Sequence, residues 1–179
     1  NLSIGSNLEN LTEVNNNPNY LFINGDIKNE LKIDSLVKEI DVIINFAAES
    51  HVDRSISNPK PFIETNVLGT YTILEAVRKY DKKFIHISTD EVYGESNEQN
   101  SFDEKSQINP SNPYAATKAA ADHLVASYYR TYGIDCITTR CTNNFGSHQF
   151  PEKLIPKTII RAIKNLKVPL YGNGEQIRS

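Results

Sequence analysis

Asp41-Val42-Ile43-Ile44-Asn45-Phe46-Ala47 is the stretch whose reading decides the fold. A strand with one face in water alternates apolar and polar residues. This one is nearly continuous apolar sequence, the pattern of a parallel strand covered by helices on both faces. Downstream, Pro59 to Tyr80 has helical spacing and leads through Asp81-Lys82-Lys83 into a second apolar run, Phe84-Ile85-His86-Ile87-Ser88. Upstream, Tyr20 to Asp26 is β-rich and stopped by Gly25-Asp26, and Leu31 to Ile40 is helical. A polar loop, Glu95 to Asn112, precedes a helix that opens on Pro113 and stops at Gly133. Ile134 to Arg140 reads as the next strand and Pro151 to Leu166 as a helix that Pro156 bends or restarts; Val168 to Tyr171 reads as a last short strand. Strands alternating with helices over connections of this length predict an α/β fold with a doubly wound parallel sheet.

Composition narrows the function. The 179 residues suffice for one sizeable core, with roughly 70% of the unfolded chain's surface removed from water. Nineteen basic and 22 acidic side chains give a net charge of −3 with no basic run, which argues against nucleic acid as a partner. No apolar stretch approaches the ~18 residues of a membrane span and the polar start has no signal-peptide pattern, so the expected address is the cytosol and no membrane partner is expected. Cys136 and Cys141 form no metal or redox motif and are expected as reduced, non-catalytic thiols. Asn1-Leu2-Ser3 and Asn10-Leu11-Thr12 match the glycosylation pattern, which arises by chance in an Asn-rich chain. The four histidines have no metal-ligand spacing; His51 reads as a site-wall residue, His86 as packing, and no metal is expected.

In doubly wound sheets ligands collect outside the carboxyl ends of the strands. The residues there are Gly25-Asp26-Ile27, Ala47-Ala48-Glu49-Ser50-His51, Thr89-Asp90-Glu91 and Thr142-Asn143-Asn144, all polar or small with the exception of Ile27. Tyr114-Ala-Ala-Thr-Lys118 opens the helix that follows the strand ending in Ser88-Thr89, and a spacing of four stacks phenol and ammonium on one helical face. A free phenol with a pKa near ~10 is a poor base at neutral pH. A cation about 4 Å away, at an effective dielectric of about 20, is worth roughly 4 kcal/mol and is expected to bring that pKa down by two or three units. Tyr-x-x-x-Lys alone is a weak signal, since the pair is common on exposed helices. The neighbouring Ser88 and Thr89 hydroxyls, able to hold a substrate hydroxyl beside the phenol, strengthen it.

With these residues in place, the chain resembles the extended short-chain dehydrogenase/reductases, and among them the nucleotide-sugar 4,6-dehydratases. The resemblance runs through Gly25-Asp26-Ile27, Phe46 to Ser55, Thr65-Asn66-Val-Leu-Gly-Thr70, Ser88-Thr-Asp-Glu-Val-Tyr-Gly94, Asn112-Pro-Tyr-Ala-Ala-Thr-Lys118, and Asn143-Asn-Phe-Gly146 to Phe150-Pro-Glu-Lys-Leu-Ile-Pro156. It implies a Rossmann-like sheet and NAD as cofactor. It also implies a lyase acting on a nucleoside-diphosphate glucose, with thymidine diphosphate leading and uridine diphosphate the alternative. By the resemblance, Tyr114, supported by Lys118, takes the proton of the 4-hydroxyl, oriented by Thr89, while hydride leaves C4. Glu91 then removes the C5 proton, Asp90 protonates the departing 6-hydroxyl, and hydride returns to C6. That division of labour requires Asp90 protonated and Glu91 ionised. A related epimerase needs no such acid and base, so Asp90-Glu91 is what favours dehydration. A 4-epimerase, a decarboxylase and a non-catalytic nucleotide-binding or dimerisation module remain as rivals.

The resemblance further implies that Asp26 and Ile27 contact adenine. Ala47, Ala48, Glu49, Thr65 and Ser88 would line the dinucleotide, and Asn144 would lie near the nicotinamide with Tyr114 and Lys118. Ser50, Thr89, Asn143, Lys153, Leu154, Pro169, Leu170, Tyr171 and Arg178 would touch the sugar nucleotide; the Arg178 guanidinium can pair with a diphosphate through two hydrogen bonds. A homodimer through the two long helices is implied as well. Residues 1–150 would be a partial NAD-binding domain and 151–179 the beginning of the sugar-nucleotide domain. A complete member begins with a strand, a Gly-x-x-Gly-x-x-Gly turn and a helix whose amides bind pyrophosphate. None of these lies in the 179 residues, which are therefore expected to be part of a longer protein; alone, they would bind NAD weakly. Phe145 and Ser147 stand where the family usually has Tyr and Pro.

Overall fold

The computed structural model describes residues 2, 5–95, 101–170, 173 and 174. Three strands form one parallel sheet in the order β1 (Val42–Asn45), β2 (Lys83–Thr89), β3 (Cys136–Cys141). The register sets Ile43 beside Phe84, and Phe84, His86 and Ser88 beside Cys136, Thr138 and Arg140. The strands therefore end on the same side, and the predicted α/β class with a Rossmann-like parallel sheet is what the chain forms.

The chain packs as two compact units, Gly25–Thr142 and a second made of Asn1–Asn24 with Asn143–Ser179. In the first, α1 (Glu30–Lys38), α2 (Val52–Ser57), α3 (Lys60–Phe62), α4 (Thr70–Tyr80) and α5 (Pro113–Tyr132) pack with the sheet strands and with one another. Its core joins Ile73, Leu74 and Val77 of α4, Val125 and Tyr128 of α5, and Phe84 of β2. Phe84, Leu74 and Val77 are fully buried. The other sheet face differs from expectation. Val42, Ile44 and Ile137 are 45%, 52% and 47% exposed, so only one face is covered as the continuous apolar run had suggested for both. Apolar composition reports what a strand can bury, and the elements packed on each face decide what it does bury.

The long helical stretch from residue 60 to 80 is present with one irregularity: Ile63–Gly69 between α3 and α4 is wound as π-helix. Such widened turns concentrate at functional sites, and this one carries Thr65 and Asn66. Helix α5 matches its predicted limits, closing on Gly133 in the left-handed conformation at φ 71°. Tyr20–Asp26 is not a strand. Leu21, Phe22 and Ile23 are 79%, 44% and 41% exposed, and no ladder pairs with them among the described residues. β-propensity makes a strand only where a neighbour takes the backbone hydrogen bonds.

In the second unit, Leu8–Leu11 makes a 3₁₀ turn and α6 spans Leu154–Ile163. Pro156 neither bends nor restarts this helix. It is the third helical residue, where the backbone N–H has no partner within the helix and its absence costs nothing. Val168, Pro169 and Leu170 are irregular and exposed instead of forming a strand. Among the described residues no helix is long and apolar enough to cross a membrane.

Candidate active site

The start of α5 is fully accounted for. Pro113 has no N–H to satisfy; Tyr114 N donates to Ser55 Oγ at 3.1 Å, Ala115 N to Asn112 Oδ1 at 2.8 Å and Ala116 N to Asn112 O at 2.9 Å. Ser55, completely buried within α2, donates its own hydroxyl to Val52 O at 2.6 Å. The Tyr114 ring meets the buried Phe62 edge-on, with centroids 6.4 Å apart. Backbone and ring are thus fixed at the residue the sequence singled out.

After β2 the chain turns through a 3₁₀ segment, Asp90–Tyr93, capped by Thr89, whose hydroxyl accepts from Glu91 N at 3.3 Å and donates to Asp90 Oδ1 at 3.1 Å. Thr89 stands near enough to Tyr114 for its hydroxyl to draw the phenol's pKa down. Asn112 Nδ2 donates to Glu91 Oε2 at 3.3 Å, so one asparagine caps the phenol's helix and holds a carboxylate of the turn. The turn closes on Gly94 at φ 88°, where a Cβ would run into the carbonyl of Asn109. Thr89, Glu91 and Asp90 all act on the Tyr114 phenol from this turn.

Electrostatics correct one expectation. The Tyr114 phenol is pushed up to about 12, first by burial and further by Glu91, Cys141 and Asp90, against the opposing hydrogen bond from Thr89. The predicted lowering by Lys118 is not seen. The Lys118 ammonium, 4% exposed, donates to Ile87 O at 2.6 Å. Its own pKa is lowered by burial, with Asp122 working the other way. Spacing of four brings the two side chains to one face; the carbonyl at the end of β2 decides where the charge points.

Loop residues after β1 are held from below. Asn66, 2% exposed in the π segment, accepts from Glu49 N at 2.8 Å and donates to Glu49 O and Thr117 Oγ1 at 3.1 and 3.0 Å. Ala47 N donates to Asn45 Oδ1 at 3.1 Å. Thr65 and Ala48 are half-buried, while Ala47 and Ser50 are exposed. Asp26 Oδ1 accepts from Lys28 N at 2.9 Å as a turn residue does, and Ile27 packs on the core and over Gly69. Ser88 is 4% exposed and its hydroxyl has no hydrogen-bond partner, nor has the Nδ2 of buried Asn45. His51 caps α2, its Nδ1 accepting from Arg54 N at 3.4 Å.

The remaining predicted residues belong to the second unit. Asn143 and Asn144 are exposed, the latter's carbonyl accepting from Gln149 Nε2 at 2.9 Å. Lys153 precedes α6, its carbonyl accepting from Lys157 N at 2.9 Å and its side chain making no cap hydrogen bond; Leu154 and Leu170 are 69% and 74% exposed, and Pro169 is exposed as well. Tyr171 and Arg178 lie outside the described residues. Sequence reading gave no role to Asn66, Asn112, Ser55 or Phe62, although the first three stand inside the quoted motifs; a polar residue at a helix start or one turn before a small residue was the available signal. A cleft of about 610 Å³ between α1 and α4, lined by Glu30, Asp34, Tyr71 and Glu75 among others, contains none of the predicted residues.

Comparison with known proteins is consistent with this geometry. A family model described as GDP-mannose 4,6 dehydratase matches residues 2–179. A dTDP-glucose 4,6-dehydratase of Escherichia coli is 48% identical over 198 residues, covering 99% of this chain and 55% of the relative. One of Xanthomonas campestris pv. campestris is 46% identical over 189 residues, covering 99% and 54%. The crystal structure of DesIV, a dTDP-glucose 4,6-dehydratase from Streptomyces venezuelae with NAD bound, has a TM-score of 0.93 at 43% identity, over 96% of this chain and 53% of that one. A UDP-glucuronic acid 4-epimerase from Bacillus cereus has a TM-score of 0.90 at 29% identity, over 96% and 54%. The chain spans about half the length of the curated relatives it matches.

Proposed function

This chain belongs to the GDP-mannose 4,6 dehydratase family, and on that premise we propose that the protein carrying it is an NAD-dependent hydro-lyase converting dTDP-glucose to its 4-keto-6-deoxy product. The observation that supports it most is the Thr89-Asp90-Glu91 turn, whose side chains act on the Tyr114 phenol and whose Glu91 is tied to the start of its helix through Asn112. A single-carbon oxidation and reduction needs the phenol alone; eliminating water needs a further acid and base, and these are the two carboxyls beside it. The identity of 48% to a dehydratase, against 29% to an epimerase of nearly equal TM-score, points the same way.

NAD fits the residues present, because the buried Ser88 hydroxyl and Asn45 amide end the sheet without partners and suit a polar ligand seated there. Ala47, Ala48, Glu49, Thr65, Ser88, Tyr114, Lys118 and Asn144 would hold it, with Asp26 and Ile27 toward adenine. Bound NAD supplies the hydride acceptor and, when oxidised, a positive charge that favours the phenolate. Tyr114 otherwise keeps its proton at neutral pH, and Lys118, on the same helical face with its ammonium on Ile87 O, is read as helping to hold the cofactor beside it. Thr89 orients the sugar's 4-hydroxyl toward Tyr114. Glu91 takes the C5 proton and Asp90 donates to the 6-hydroxyl as it leaves. Ser50, Asn143, Lys153, Leu154, Pro169, Leu170, Tyr171 and Arg178 complete the reading as sugar-nucleotide contacts, with residues 1–150 read as a partial NAD-binding domain and 151–179 as the beginning of the sugar-nucleotide domain.

Full-length protein given dTDP-glucose and UDP-glucose should produce the alkali-developed chromophore of a 4-keto sugar, faster from the first. A galactose-configured epimer as product would overturn the reading. Tyr114→Phe should form no reduced cofactor, whereas Glu91→Gln should form it and stall; equal loss of hydride transfer in both contradicts the assigned roles. The reading includes a cytosolic homodimer through the helices of residues 59–80 and 113–132. Exposed Tyr129 and Tyr132, 60% and 51%, support the dimer, and light scattering of the full-length protein tests it.

A further inference from the structure

Beneath the proposed catalytic groups lies a second polar chain that the reaction does not use. Asp122, two turns beyond Tyr114 and one beyond Lys118 on α5, is 4% exposed. Its Oδ2 accepts from Arg140 Nε on β3 at 2.8 Å. The same guanidinium donates through Nη1 to the phenol oxygen of Tyr93 at 2.8 Å, and its Cζ stands 5.1 Å from the centre of the Tyr93 ring. Tyr93, 8% exposed, is the last residue of the turn that begins with Asp90 and Glu91, and its other ring face stacks on Phe102 at 5.2 Å. A planar fork with donors in fixed directions is the side chain suited to joining two such acceptors; an ammonium on a flexible stem is not.

We propose that Arg140, anchored by Asp122 and gripping Tyr93, is a positioning residue that fixes the turn bearing Asp90 and Glu91 against the helix bearing Tyr114 and Lys118. The inference rests on the dehydratase reading for its catalytic consequence, and on geometry alone for the clamp. Asn112 joins the same two elements at the near end of the turn through Glu91, and Arg140 joins them at the far end. With both ends tied, the carboxyls keep their distance from the phenol. With the far end released, oxidation on the α5 side continues while elimination lags, because displacement of a reacting group by about 1 Å costs up to ~100-fold in rate.

Tyr93→Phe in the full-length protein is the test, since it removes one acceptor and retains both ring contacts. Amide exchange of a peptide covering Asp90 to Gly94 should quicken several-fold. On mixing with dTDP-glucose, reduced cofactor should accumulate transiently as elimination slows by about tenfold. Arg140→Lys, which keeps the charge and loses the fork, should behave alike, and a melting midpoint near that of wild type for either variant establishes that it is folded. Unchanged exchange, or quickened exchange with an unchanged elimination rate, overturns the proposal. A wild-type protein that makes no 4-keto sugar sinks the dehydratase reading instead, and the exchange measurement then decides the clamp by itself.

Discussion

His86 makes the protein's stability depend on pH in a way that can be worked out from its surroundings. It lies on β2 with 1% of its surface exposed, its ring 6.0 Å from Phe84, and neither ring nitrogen has a hydrogen-bond partner. Asp122 Oδ1 is 3.5 Å from Nε2, a neutral approach and not an ion pair, because the imidazole is held uncharged. Burial, and then the charge of Lys118, depress its pKa from 6.5 to about 3. A depressed value means that the unfolded chain takes a proton below pH 6.5 while the folded chain refuses it. Stability is therefore present above pH 6.5 and lost as pH falls toward 3. Each pH unit in that window is worth about 1.4 kcal/mol, so the loss is roughly 2 kcal/mol at pH 5 and roughly 5 kcal/mol at the lower limit. That is comparable to the whole stability of many domains. Urea unfolding of the full-length protein and of His86→Leu, followed by circular dichroism at pH 8, 6.5 and 5, should show the wild type losing about 2 kcal/mol more than the variant between pH 6.5 and 5. Other groups cancel in the difference. Parallel pH dependence of the two proteins, or a His86 ring that titrates by NMR near pH 6.5, would refute the reasoning.

Asn66→Ala removes one buried amide, taking the partner from Glu49 N–H and Glu49 C=O and the donor from Thr117 Oγ1, whose own proton still goes to Tyr114 O. It should cost about 2–4 kcal/mol in thermal or urea unfolding, and an effect below ~1 kcal/mol would mean the latch is dispensable. Gly94→Ala places a side chain at φ 88° against Asn109 O; it should destabilise by about 1–3 kcal/mol, with faster amide exchange confined to the turn after β2, and a melting point equal to wild type would contradict the close approach.

The apolar run at residues 41–47, the helix limits at Pro113 and Gly133, and the Tyr114–Lys118 spacing were legible because they are local. Hydrophobic period and cap chemistry act over a few residues, and so announce themselves along the chain. Tyr20–Asp26 shows where that logic stops. It has strand composition, but a strand is completed by hydrogen bonds from elsewhere, and none pairs with it among the described residues. The phenol of Tyr114 makes the same point in electrostatic terms. Four residues of spacing fix which face it shares with Lys118, and sequence by itself determined that much. Tertiary packing buried the ring, turned the ammonium to Ile87 O and brought Glu91 and Asp90 near, which moved the phenol up instead of down. Burial and the direction of a charge depend on atoms tens of residues away, so only the folded chain decides them.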